Sequence, residues 1–236
     1  MPALPQPPPD APAPPPGPEA LRSRRKMGMI IGFGGLLPLL LLLSAPLFLK
    51  ARKAAERTEA LSNIRQIGMS LFDFDSDYGR FPDTSTIAEV KLRTSTPLTL
   101  TDTSSNQLFR QLIAMGMKSE KLFYAKVPGS KRPDERFTTD STALEKGECG
   151  FSYIAGIHSG WDPDTPVVLT PMKRGTQSFE SLNKWGDKAV ILHVDNSAKA
   201  LSIDKAGRVI TLGGRDILDP AQPFWKGKAP DLKWHE

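Results

Sequence analysis

The sequence predicts an α+β fold in which one long N-terminal helix, its first half transmembrane and its second half amphipathic, packs on a small antiparallel sheet. Three observations carry that expectation. Residues 27–49 contain no charge, apolar residues between Leu61 and Tyr78 recur at three- and four-residue steps, and short runs of apolar and β-branched residues gather beyond residue 150.

Residues 1–21 open the chain with a segment whose first twenty positions are half proline, in runs such as Pro7-Pro8-Pro9 and Pro14-Pro15-Pro16. With almost nothing apolar to bury, such a stretch favours solvated polyproline conformers and is expected to form a disordered tail. Residues 22–26 follow as a basic flank, and Met27 to Leu49 then run 23 residues without a charge. At a rise of 1.5 Å per residue, a helix of that length spans about 34 Å, enough to cross a hydrocarbon core of about 30 Å. Pro38 and Pro46 would be costly in a soluble helix but are tolerated in lipid where neighbours satisfy the freed carbonyls. A cleaved signal peptide would end in small residues, whereas this run ends Leu47-Phe48-Leu49-Lys50, so it is expected to stay attached. Gly28 and Gly32 stand in a GxxxG spacing, which permits close helix approach in a bilayer.

The net charge of +5 raises a nucleic-acid reading that the position of the charges removes. Eight of the 31 bases and three of the 26 acids precede residue 58, leaving 23 of each downstream. Arg22, Arg24, Arg25 and Lys26 stand before the apolar run, and Lys50, Arg52, Lys53 and Arg57 after it. Basic clusters bracketing an apolar run ahead of a neutral domain mark a membrane flank rather than a phosphate-binding face. The expected partner is the lipid bilayer, with no nucleic acid. Cys149 is the single cysteine, which excludes an intrachain disulfide and a multi-cysteine zinc site.

Residues 50–78 are expected to continue the anchor as an amphipathic helix. Ala51, Ala54, Ala55, Glu56 and Arg57 favour helix, Leu61, Ile64, Ile67, Leu71, Phe74 and Tyr78 form an apolar face, and Gly79 and Pro82 end it. The remainder, residues 79–236, is expected to be an α+β globular domain. Asp83 to Thr103 reads as a polar connector, and Ser104 with Gln107 as a capping box opening a short helix that stops near Gly116. Residues 118–148 read as a long surface loop with a helical turn near Leu122 to Tyr124. Strands are expected at Phe151 to Ala155, Val167 to Thr170, Ala189 to Val194, Ala198 to Ile203 and Arg208 to Thr211, the last three as an antiparallel meander. The proline- and tryptophan-rich stretch beyond Pro220 reads as irregular chain packed across the sheet.

One forty-residue stretch, together with the anchor, resembles bacterial type IV pilin-like and type II secretion pseudopilin-like proteins of the kind found in Verrucomicrobia and Planctomycetes. The residues that carry the likeness are Pro46, Lys50-Ala51-Arg52, Ala55, Arg57-Thr58, Leu61-Ser62-Asn63-Ile64-Arg65-Gln66-Ile67-Gly68, Leu71 and Tyr78-Gly79-Arg80-Phe81-Pro82. Phe151 to Gly156 and Ala189 to Asp195 are similar to the sheet of the same proteins. The resemblance implies a single-pass protein of the bacterial inner membrane, N-terminus cytoplasmic and C-terminal domain periplasmic. It implies a structural or assembly role in a type II secretion or type IV pilus-like system, with itself or other pilin-like subunits as partners. Gly28, Gly32, Pro46, Leu61, Ile64 and Leu71 are then the candidate helix-packing or assembly residues. The chain departs from that pattern where the prepilin peptidase junction would fall, at Arg24-Arg25, and where pilins place a helix glutamate, at Met29. Those departures motivate a second expectation, a non-polymerising tethered periplasmic module that binds a protein, glycan or ligand.

No enzyme and no cofactor are expected. His158, His193 and His235 are widely separated and belong to no metal-binding motif. Asp73, Asp75 and Asp77 alternate as in a calcium loop, but Tyr78 stands where that loop needs glycine and Thr84 where it needs glutamate. The resemblance implies that Asp195, Asp204, Asp216 and Asp219 could hold calcium in a C-terminal loop, as in some secretion pseudopilins, but each also reads as an ordinary turn former; Cys149 reads as a small packed residue, and the scattered serines lack a nucleophile elbow.

Overall fold

The computed structural model describes residues 50–181 and 185–236. The expectations for the tail, the basic flank and the apolar run, with Gly28, Gly32 and Pro46, lie outside the described residues. Among the described residues no helix is long and apolar enough to cross a membrane. One compact unit spans Arg52–Glu236 and holds the sheet and its helices.

Helix α1 covers residues 50–78 and ends at Gly79, whose φ of 74° requires the left-handed conformation that glycine adopts without strain. Ala60, Ile64, Ile67, Leu71 and Phe74 are buried, which is the face expected from the periodicity. Burying each of the larger side chains contributes roughly 1.5–3 kcal/mol relative to exposure. The opposite face is polar, with Met69 its exposed large apolar residue.

The stretch expected as a polar connector contains a helix, α2, Ile87–Thr94. Only Val90 of this helix is buried, so it left almost no apolar pattern in the sequence. A Glu89–Arg93 ion pair braces it from within, and Arg93 ties it to α1, stacked 5.0 Å from the Tyr78 ring centroid and donating to Asp77 O. Helix α3, Ser105–Ala114, begins as expected, with the Ser104 side chain accepting from the Gln107 amide. A single 3₁₀ turn, Glu120–Phe123, occupies the position expected for a helical turn in the loop.

The sheet has five strands: β1 Ser152–Ala155, β2 Pro166–Thr170, β3 Lys188–His193, β4 Ala198–Ser202 and β5 Asp231–Lys233. Their order is β4-β3-β2-β1-β5, every neighbour antiparallel. Strands β1 and β2 are buried at every position and β3 at all but its first, so both faces of the sheet centre are covered. The edge strand β4 carries exposed Lys199 and Ser202, a charged, short edge that discourages pairing with another chain.

Two expectations need correction. Arg208 to Thr211 does not join the meander. The Asp204 carboxylate takes the amides of Ala206 and Arg208, and Val209 to Ile217 then folds back on itself, Ile217 N donating to Val209 O and Thr211 N to Arg215 O. Gly207 fixes this turn, since a Cβ there would lie 2.8 Å from the Phe179 carbonyl oxygen. The C-terminal stretch, in turn, is not wholly irregular. Trp225 and Phe224 enter the core, and β5 pairs with β1 through Tyr153–Lys233, Ile154–Leu232 and Ala155–Asp231. Past β5 the backbone is tied to helix α3 and the loop before β1: Ser105 N donates to Trp234 O, Gly147 N to Glu236 O, and Glu236 N to Asn106 Oδ1.

Candidate functional site

The residues that carry the family resemblance converge on holding α1 to the rest of the domain. Arg57 Nη1 donates to the Trp185 carbonyl at 2.9 Å, and Arg65 Nη2 to the Ala198 carbonyl at 3.3 Å. Asn63 Nδ2 donates to the carbonyls of Lys121 and Tyr124 at 3.1 and 2.9 Å, satisfying the C-terminal end of the 3₁₀ turn. Glu56 pairs with Lys126, and the Lys126 and Arg52 charges hold its carboxyl below the usual range against the opposing effect of burial. Phe81 is buried, its amide donates to Ile157 O, and the Tyr153 hydroxyl reaches the Pro82 carbonyl at 2.9 Å. Gly68 sits where the β3–β4 turn meets the helix: a Cβ there would lie 2.0 Å from Asn196 Oδ1 and 3.0 Å from Leu192 Cδ2.

Of the candidate packing residues, Ile64 and Leu71 are buried within this domain and Leu61 is half-buried against the same core. The surface that α1 leaves open from Arg52 onward presents Arg52, Glu59, Ser62, Arg65 and Asp73 around Met69, a polar strip rather than a second apolar seam.

The groups weighed for chemistry occupy structural positions. Asp73 and Asp77 are on the outer side of α1, while Asp75 accepts from the Ser159 amide and hydroxyl. Asp195, Asp204, Asp216 and Asp219 each accept the amide two residues on, from Ser197, Ala206, Leu218 and Ala221, and so act as turn formers. Cys149 is fully buried, which pushes its thiol up to about 12; a thiol so held is not a nucleophile. His193 is buried on β3 with Nδ1 3.3 Å from Ser197 O, and burial lowers its pKa. His235 lies 3.3 Å from Ser152 Oγ, and Ser152 is buried within β1. His235 borders a half-open cleft of about 230 Å³ with Lys146, Arg174, Glu180 and Glu236.

One arrangement was invisible in the sequence. A carboxylate oxygen from each of Glu120, Asp134 and Glu148 lies within 4.8 Å of the other two. Glu120 and Glu148 are buried and Asp134 is exposed at the mouth. Each carboxylate has one oxygen fixed by a backbone amide: Glu120 Oε1 by Leu144 at 2.6 Å, Glu148 Oε2 by Glu145 at 2.8 Å and Asp134 Oδ1 by Arg136 at 2.9 Å. Glu120 Oε2 is buried with no hydrogen-bond partner. Burial first, then the charges of Glu148, Asp134 and Glu135, push the Glu120 carboxyl up, with only the Leu144 amide opposing. The three positions follow no motif spacing, so only folding reveals the set.

Compared with family models, curated proteins and solved structures, the chain matches none of them.

Proposed function

We propose that the protein is a membrane-anchored, pilin-like structural or assembly subunit that acts by packing rather than by chemistry. The observation that carries this reading is the continuity of sequence between the charge-free run Met27–Leu49 and an amphipathic helix whose apolar face is buried on an antiparallel sheet. The motif residues Arg57, Asn63, Arg65, Gly68 and Phe81 support it, because each joins that helix, or the turn that ends it, to the domain. In this reading residues 27–49 span the inner membrane, the domain lies in the periplasm, and Gly28 and Gly32 bring neighbouring anchors together.

The alternative, a tethered module that does not polymerise, is favoured by Arg24-Arg25 and Met29, which replace the processing junction and the helix carboxylate of the resembling proteins. The polar outer strip of α1 favours it as well.

Fractionation of cells expressing the full chain tests the anchor. The protein is expected in the membrane pellet after an alkaline carbonate wash, and Leu40→Arg combined with Leu42→Arg is expected to release it. Recovery of the unaltered chain in the aqueous fraction overturns the reading. Cysteine crosslinking at Gly32 separates the two forms, and the buried Cys149 leaves the engineered cysteine to report alone. A crosslinked dimer supports assembly, and its absence supports the solitary module.

A further inference from the structure

Three carboxylates brought this close, one of them with a buried oxygen that no donor reaches, pose an electrostatic problem that must be answered within the fold. An ionised carboxylate removed from water is costly unless paired or hydrogen-bonded, and like charges this close oppose one another's ionisation. Lys131 answers only part of it. Its ammonium stands 3.6 Å from Glu148 Oε1 and is shared with Glu145, while Lys131 itself is half exposed. Among the described residues its ion pairs are these two, and neither reaches Glu120 or Asp134. Glu120 Oε2 therefore remains buried and unpartnered while its sister oxygen is held by Leu144 N.

We infer that Glu120, Asp134 and Glu148 form a binding site for a hard divalent cation of the calcium class, which bridges the 3₁₀ turn, the exposed loop and the segment leading into β1. The geometry supports this in two ways. Oxygens in a shell about 2.4 Å from a calcium ion lie at most about 4.8 Å apart, the spacing within which the three ligand atoms fall. The amides of Leu144, Glu145 and Arg136 each bind one oxygen of a carboxylate, so the ligands are oriented before a cation arrives. All three ligands are oxygen, with no histidine or cysteine among them, which selects calcium or magnesium over zinc or copper. Because the ligands come from the two ends and the middle of a long irregular stretch, a bound cation closes that stretch into a loop. The site lies wholly within the described domain and is independent of the membrane reading.

The test uses full-length protein in detergent, stripped with a chelator and titrated by calorimetry with calcium chloride alone and magnesium chloride alone at pH 7.5. One calcium per chain is expected, with a Kd below about 1 mM, the range of extracellular calcium modules. Calcium should also slow tryptic cleavage after the exposed Arg136. Glu120→Gln, which preserves the acceptor for Leu144 N, should still fold, as read by circular dichroism, and should bind calcium at least tenfold more weakly. Asp73→Asn, on the exposed face of α1, should bind as the unaltered protein does. The inference is overturned by no heat of binding up to about 10 mM calcium, by equal binding in Glu120→Gln, or by tighter binding of magnesium than of calcium.

Discussion

Replacing Gly68 by alanine isolates the contact that seats α1 on the sheet. In an unconstrained helix interior this change stabilises by about 1 kcal/mol. Here the added Cβ would stand 2.0 Å from Asn196 Oδ1, 3.1 Å from Asn196 Cγ and 3.0 Å from Leu192 Cδ2. The methyl can enter only if the Asn196 side chain leaves its present rotamer and if Leu192, buried in β3, gives by a few tenths of an ångström. Overpacking of this kind costs about 1–3 kcal/mol, and the 2.0 Å approach places it at the upper end. Gly68→Ala should therefore destabilise by about 2 kcal/mol after the helix gain is subtracted, lowering Tm by about 4–8 °C for a domain of this size. Asn196→Gly supplies the control. Asn196 Oδ1 has no hydrogen-bond partner to lose and glycine accepts the turn's φ, so that change alone should fall within about 0.5 kcal/mol of neutral. In the Asn196→Gly background, Gly68→Ala retains only the Leu192 contact and should be nearly neutral, a coupling of about 2 kcal/mol. Thermal unfolding of the full chain in detergent, followed by far-UV circular dichroism, measures all four proteins. A Gly68→Ala protein more stable than the original, or a penalty unchanged in the Asn196→Gly background, would refute the packing argument.

Buried titratable groups set two further outcomes. Cys149 should fail to react with a thiol reagent at pH 8 until denaturant is added, because the residue is buried and that burial pushes its thiol up to about 12; prompt labelling of the native protein would contradict the burial. His193 and His235 both have native pKa values below 6.5, so the unfolded chain takes up protons first as pH falls, and stability present above pH 6.5 is lost on passing through the native values. Each contributes a slope of about 1.4 kcal/mol per pH unit while neutral in the native state and charged in the unfolded one. Glu120 and Asp216, raised by burial, act in the opposite sense, so the histidine contribution is read as the difference between the original and a His193→Gln, His235→Gln protein. Parallel profiles between pH 7.5 and pH 4.5 would show the assignment to be mistaken.

The parts of the fold legible in the sequence are those whose local pattern and tertiary use agree. The face of α1 from Ile64 to Phe74 shows its 3.6-residue period because one side is buried along its length. The Ser104 cap is legible because it acts within four residues. Helix α2 escaped because Val90 alone is buried, and its support comes from Tyr78 on another helix. Arg208 to Thr211 looks like a strand in composition, yet the Asp204 turn diverts its amides before it reaches an edge. Strand β5 was obscured by the prolines around it and is made a strand by the unpaired edge of β1. The acidic set is the extreme case: Glu120, Asp134 and Glu148 are ordinary surface-type residues until the loop closes around them.

The place of β5 also sets an order for biosynthesis. During synthesis the hairpins β1–β2 and β3–β4 are complete well before Asp231 to Lys233 emerges from the ribosome, and until then β1 carries a row of open amides and carbonyls beside buried-type side chains. A nascent chain stalled before Pro230 would expose that ladder to any neighbour, the usual seed of off-pathway association. A nonsense change ahead of β5 would leave β1 in that open state, and would be far more damaging than the three residues of the strand suggest.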